Sequence, residues 1–327
     1  MKKLSRYDHT QPGAIDPAQC NGCGVCMLSC PVWHQHRTKA LTYCGRNRAA
    51  IGGADEDDLA PSAAACILCG SCEPLCPMGI RTQQSTLALR RNLARRGLLP
   101  NPRVARDRKK PERAAASRLI IPGASLRDNG RIISAVLRVL GGEAKLHADD
   151  GSDLLLSLEA GGEVSDAQIQ EYLAPLEGVP ELIVADGLMF NLLYSALPSP
   201  KSMLPLGPAL LRDPNVRAGI KSTDFYMIET RAYNAHRHAF VELYSRLRRE
   251  TGCTTNLDLQ RVATPTGASC MQHREGLKTI ISIEEQVKWL LEGRRPARIV
   301  VEHPDDLEAF SRYTKLPVVH LAEVAKP

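Results

Sequence analysis

The sequence predicts a multidomain α+β chain: a mainly helical, cysteine-rich N-terminal part, followed by two repeated α/β units with short parallel sheets. Three observations predict it. Eight of the eleven cysteines fall into two copies of one spacing within residues 20–76. Beyond residue 117, short apolar runs alternate with helical periodicity, the pattern of parallel strands joined by helices. That alternation then occurs a second time, with Val184 and Val301 in corresponding places. A chain of 327 residues is long enough for several cores. Its net charge of +6 is too weak to mark a nucleic-acid binder, and aromatic residues, at 4%, are too few for base-stacking platforms. No apolar run is long enough to span a membrane, and the basic start has no apolar segment behind it. The expectation is a cytoplasmic, reducing setting, in which the cysteines need a purpose other than disulfides.

The first cysteine run is Cys20, Cys23, Cys26 and Cys30, followed by Pro31; the second is Cys66, Cys69, Cys72 and Cys76, followed by Pro77. This is the spacing of two-cluster bacterial ferredoxins, in which the fourth cysteine of each run ligates the other cluster. Three cysteines at two-residue intervals wrap three corners of a cubane, and the fourth, a helical turn further on, points away. Cluster I is therefore expected on Cys20, Cys23, Cys26 and Cys76, and cluster II on Cys66, Cys69, Cys72 and Cys30, giving two [4Fe–4S] clusters. Structural zinc favours paired C-x2-C units, often with histidine, and neither run leaves a natural pairing of that kind. Gly22, Gly24, Gly70 and Ser71 let backbone N–H groups approach the cluster sulfurs, and Val25, Met27, Leu28, Ile67, Leu68 and Leu75 form an apolar shell. Between the runs, His34 and His36 are expected on a solvent-facing helix surface and Cys44 as a buried free thiol. A helix is predicted from Arg81 to Arg96, with Leu87, Leu89 and Leu93 on its apolar face.

Residues 15–96 resemble the α-helical dicluster ferredoxin domain of heterodisulfide-reductase and glycolate-oxidase type iron–sulfur subunits. The match is carried by residues 20–31, by Gly-Arg-Asn-Arg-Ala at 45–49 and by residues 66–77. In that family the domain is often followed by two cysteine-rich CCG domains, which can hold a further iron–sulfur centre and perform disulfide- or quinone-linked chemistry. Residues 117–327 resemble those domains in arrangement and depart from them in chemistry. Gly123-Ala124 stands where a cysteine would follow the first strand, and His303-Pro304-Asp305-Asp306 where a late cysteine pair would stand. Only Cys253 and Cys270 remain, each most simply a small buried hydrophobe. A mononuclear metal on Cys270, His273 and His303 is the weaker alternative.

The resulting division is a ferredoxin-like domain at 1–96, a basic linker at 97–116, and degenerate CCG-like units at 117–215 and 216–327. Unit one should run from a strand at Leu119 through helices near 129–140 and 167–176, then a strand from Glu181 and a helix from Leu188. Unit two should repeat this from a strand at Phe225 through helices near 234–250 and 283–291, a strand from Ala297 and a helix from Asp305. The basic stretch Arg90–Arg113 reads as a solvated linker or a surface for an acidic partner. Arg231, His236 and His238, bordered by the turn at 264–267, are candidates to line a pocket beyond a strand end. No phosphate-binding or dinucleotide glycine motif occurs after a strand. The function expected is relay of single electrons between a catalytic oxidoreductase subunit, flavin- or metal-containing, and a second electron carrier. Nucleic acid is not expected as a partner, and any membrane contact is expected through a partner. A reductase acting through the C-terminal half, or a cluster-based sensor, is the alternative. The C-terminal half reads as a docking platform separable from both clusters.

Overall fold

The computed structural model describes residues 20–101, 116–197, 202–259, 261–271, 274, 276–277 and 280–325. Residues 20–101 form helices and turns with no strand: helices Pro31–His36, Tyr43–Ile51, Ala60–Ala65 and Thr82–Arg95. Each boundary has a local cause. Prolines occupy first-turn positions at Pro31 and Pro61, where a missing N–H costs nothing. The Thr42 hydroxyl accepts the Gly45 N–H and so caps the second helix. In Thr82–Arg95, Leu87, Leu89 and Leu93 are buried as their spacing requires.

The C-terminal half contains two four-stranded parallel sheets. The first is built from β1 (Arg118–Ile121), β2 (Ala144–Leu146), β3 (Glu181–Val184) and β4 (Ser202–Pro205), in the order β2-β1-β3-β4. The second contains β5 (Asp224–Met227), β6 (Thr254–Thr255), β9 (Arg298–Val301) and β10 (Val318–His320), in the order β6-β5-β9-β10. Strands β7 (Leu257–Asp258) and β8 (Val262–Ala263) form a small antiparallel ribbon between them in sequence. Both sheets have one topology: the first strand of the unit lies between its second and third, and the fourth pairs with the third. The central strands β1, β3, β5 and β9 each open on one charged residue and continue as a buried apolar run, as parallel strands covered on both faces must.

The α+β class and the repeat are as the sequence predicts, and helix Ile283–Leu291 lies on its predicted span. The sequence reading missed β2, β4 and β6, and also helix Ser152–Ala160. Strands β2 and β6 are three and two residues long and sit at sheet edges, too short for a period-two pattern. Helix Arg237–Thr251 ends at Gly252, whose φ of 75° provides the left-handed cap that leads Cys253 into the core. No helix among the described residues is long and apolar enough to cross a membrane.

Candidate metal centre

Cys30 is the N-cap residue of helix Pro31–His36, and Cys66 lies at the C-terminal end of helix Ala60–Ala65. The backbone from Cys66 to Cys76 then runs through turns. Gly70 has a φ of 73°, and a Cβ there would stand 2.3 Å from Gln83 Nε2 and 3.2 Å from Asn234 Cβ, so only glycine fits this bend. A partly open pocket lies among Cys26, Cys30, Cys66, Cys69 and Cys72, walled by Val32, Ile67 and Leu68.

The electrostatic environment of the thiols shows which of them are neighbours. Burial pushes Cys30 up to about 12; the backbone N–H groups of Trp33 and Val32 oppose the shift, and Cys69 and Cys66 add to it. Burial also pushes Cys26 up to about 12, with further contributions from Cys44, Cys30, Cys20 and Cys76. The fourth cysteine of each run therefore stands near thiols of the other run. Cys72 is raised by burial and then by Cys69, Cys66 and Cys26, so the two groups of thiols adjoin. Thr82 Oγ1 lies 2.8 Å from Cys72 Sγ, and the Ser71 side chain and backbone N–H both act on Cys69. Thiols held this high by burial need a positive partner to ionise, and a metal supplies it.

The two groups differ in exposure. Cys23 is exposed, as are Leu28 (53%) and Met78 (50%) beside the first group. Leu28 is thus not part of an apolar shell, whereas Ile67, Leu68 and Leu75 are buried as expected. The second group is sheathed by the C-terminal half. Asn234 Nδ2 donates to the carbonyls of Cys69 (3.1 Å) and Ala263 (2.9 Å), and its Oδ1 accepts the Ala263 N–H. The Ser71 hydroxyl donates to the Ala263 carbonyl at 2.9 Å. The C-terminal half, expected as a separable docking platform, thus hydrogen-bonds directly to the second cysteine run.

Several candidate residues have other roles than expected. Arg90 is no linker residue: it is fully buried on helix Thr82–Arg95 and donates to the carbonyls of Ala63, Cys66 and Glu159. Residues 102–115 of the predicted linker lie outside the described residues. His36 is exposed as expected, whereas His34 is half-buried, and both rings have partners in the C-terminal half. His34 lies against Trp289 with ring centroids 4.0 Å apart, and the His36 ring hydrogen-bonds the Ile280 carbonyl at 2.6 Å. Arg231, His236 and His238 do not line one pocket: Arg231 is buried toward Glu159, His236 packs on Phe190 and Tyr194, and His238 is exposed. The turn at 264–267 is locked into the fold, with the Pro265 carbonyl accepting from Gln286 and Thr266 Oγ1 donating to Asp306.

Cys44 is buried, as expected, and it stands beside Cys20 and Cys23 with the Gly24 N–H directed at it. Cys253 and Cys270 are buried too, and Cys270 packs in a cluster with Val32, Ile67 and Cys69. His273 lies outside the described residues. No three His, Cys, Asp or Glu side chains converge on a single-ion position among the described residues.

Sequence reasoning missed the ionic core behind the second group. Arg231 Nη2 lies 3.0 Å from both Glu159 carboxylate oxygens, and Arg274 Nη1 lies 4.0 Å from one of them. Burial opposes the charge of Arg231, yet Glu159 holds its pKa above the ordinary arginine value. Burial, and then Arg274, push Arg90 down to about 10, which leaves it charged at neutral pH. Glu159 lies on the unanticipated helix Ser152–Ala160, so no local signal connected these residues.

Residues 19–81 match the family model of the 4Fe-4S dicluster domain. The match implies [4Fe–4S] clusters and an iron–sulfur electron-transfer role for this part of the chain. No curated protein and no solved structure matches the chain. The residues fit such a group: cysteines line the pocket, and buried guanidinium nitrogens of Arg231 and Arg274 have no hydrogen-bond partner among the described residues. Buried guanidinium groups with donors to spare are at home beside an anionic cluster.

Proposed function

We propose that the chain is the electron-transfer subunit of a larger oxidoreductase and that it holds two [4Fe–4S] clusters. Cys20, Cys23, Cys26 and Cys76 would hold cluster I, and Cys66, Cys69, Cys72 and Cys30 cluster II. The observation that carries this reading is the crossed placement of Cys30 beside Cys66 and Cys69, together with Cys76 near Cys26. Bound there, the clusters would supply one-electron transfer between adjacent centres. The protein's own residues do the rest. Burial and the C-terminal half keep solvent from the second site, while Cys23, Leu28 and Met78 leave the first open as a port for a partner. The partner proposed there is a flavin- or metal-containing catalytic subunit, with a second carrier completing the relay. The heterodisulfide-reductase and glycolate-oxidase type remains the architecture that this arrangement most resembles.

The test is iron and sulfide analysis of protein purified anaerobically, with identification of any polypeptide that co-purifies. About eight irons per chain are expected. A value near four, or zinc in place of iron, would overturn the assignment.

A further inference from the structure

Three guanidinium groups from distant parts of the chain meet behind the second cysteine run. Arg90 comes from helix Thr82–Arg95, Arg231 from helix Thr230–Ala235, and Arg274 from the segment following Cys270. All three are buried. They converge on one stretch of backbone. Arg90 and Arg274 both donate to the Cys66 carbonyl, Arg274 also to Ala64, and Arg231 to Ile67 at 3.2 Å. The carboxylate that faces them directly is Glu159, itself fully buried. Asp186 and Glu229 also act on Arg231, but less than Glu159 does. Their oxygens are engaged by the N-terminal N–H groups of their own helices, those of Leu188 and Met189 for Asp186 and of Arg231 and Ala232 for Glu229. The carboxylates match the guanidinium groups in number, but it is the guanidinium groups that touch the backbone of the loop carrying Cys66 and Cys69. Nε and Nη1 of Arg231 and Nε of Arg274 have no partner among the described residues.

The first cysteine run has no such backing among the described residues. The cations near it are Lys39, which acts on Cys44, and Arg48, whose side chain lies over Gly22, both exposed; the buried Arg46 of helix Tyr43–Ile51 donates instead to the Ser62 and Thr86 hydroxyls. Exposed charges are screened by water and salt, whereas buried ones act at a low effective dielectric. Two effects then compete at the second site. Burial alone disfavours the added negative charge of a reduced cluster and would lower its potential relative to an exposed one. Buried guanidinium charge in contact with the ligand loop favours that electron and acts in the opposite direction. Three such groups bear on this loop, two of them donating to a ligand cysteine's own carbonyl.

We infer that Arg90, Arg231 and Arg274 raise the reduction potential of the cluster held by Cys66, Cys69, Cys72 and Cys30 above that of the exposed cluster. The buried site becomes the electron sink of the pair. Electrons taken up at the exposed port collect on the cluster that the C-terminal half encloses. This rests on the two-cluster assignment above.

The test is a redox titration of the full-length protein followed by electron paramagnetic resonance, with iron content measured on every sample. Fewer than two clusters in the unmodified protein would overturn the underlying assignment and is read from iron alone. With both clusters present, Arg274→Gln should shift the one-electron equilibrium of the higher-potential component at least tenfold toward oxidised, about 59 mV. The lower-potential component should stay in place. Glu159→Gln, which keeps an acceptor for Arg231 while removing the negative charge, should shift the same component in the opposite direction. Arg274→Lys, which keeps the charge, should leave it near the unmodified value. Opposite shifts from two neighbouring substitutions are not a result that general loosening of the fold produces. The inference fails if Arg274→Gln moves the lower-potential component or neither component. It also fails if the two charge-removing variants move the potential in the same direction.

Discussion

At the scale of single residues, the crossed placement of Cys30 has a direct consequence. Cys30→Ser removes a thiol that stands beside Cys66 and Cys69, so it should deplete the cluster of the second run and spare that of the first. Iron content should fall toward half, and the signal retained should be the one that Cys23→Ser abolishes. Loss of the Cys20, Cys23 and Cys26 cluster instead would show that each run closes on itself. A second residue reports on folding rather than on redox chemistry. His236 is buried against Phe190 and Tyr194, and its Nε2 has no hydrogen-bond partner among the described residues. Burial, and then Arg81, depress its pKa from 6.5 to about 4. A depressed histidine favours folding fully above the unfolded value, and the contribution is lost as pH falls through about 4. The shift corresponds to about 3 kcal/mol at most. His236→Phe keeps the ring and removes the proton, so its unfolding free energy should decline less steeply between pH 6.5 and 4. Parallel curves for the two proteins would rule out this linkage.

At the scale of elements, helix Thr230–Ala235 joins the C-terminal sheet to the second cysteine run. Asn234 is its main tie: it donates to the carbonyls of Cys69 and Ala263, also reaches Ser71 Oγ, and accepts the Ala263 N–H. Asn234→Ala would leave these buried groups without their partner, at a cost of about 2–4 kcal/mol. Anaerobic thermal unfolding should show the loss, and the second cluster should be released before the first on stepwise heating. Simultaneous release at an unchanged midpoint would mean that the tie carries no strain from the loop. Helix Ser152–Ala160 plays the matching part in unit one, presenting Glu159 to Arg231 while the Glu159 carbonyl accepts from Arg90.

At the scale of the whole molecule, the C-terminal half is a sheath as well as a surface. Units one and two both reach the loop at 66–72, through Glu159 and through Arg231, Asn234 and Arg274. Gln35 also bonds both the Ser282 backbone and Gln286, which fixes helix Pro31–His36 to the same half. A chain truncated after residue 101 loses every one of these contacts. It should retain about half of the iron of the full protein, with the remaining signal arising from Cys20, Cys23, Cys26 and Cys76. Full iron content in that fragment would show that residues 20–101 enclose both sites unaided.

The helical character of the first part was legible from Leu87, Leu89 and Leu93, and the repeat from the apolar runs at β1, β3, β5 and β9, because periodicity and burial are local properties. The iron–sulfur chemistry was legible for the same reason: eight cysteines and two prolines recur at one spacing. What remained hidden depends on contacts across the chain. Arg90 read as the start of a basic linker and is the most deeply enclosed arginine of its helix. His34 read as a surface residue and is half-buried against Trp289; His36 is exposed as read, yet its ring bonds the Ile280 carbonyl. Arg231 and Arg274 looked like two charges among many, and Glu159 lies more than seventy residues from Arg231. A sequence states which side chains can carry charge; only packing decides which charges leave water together. The spacing of the cysteines thus determined what the protein can bind, and the tertiary structure decided how differently its two sites are surrounded.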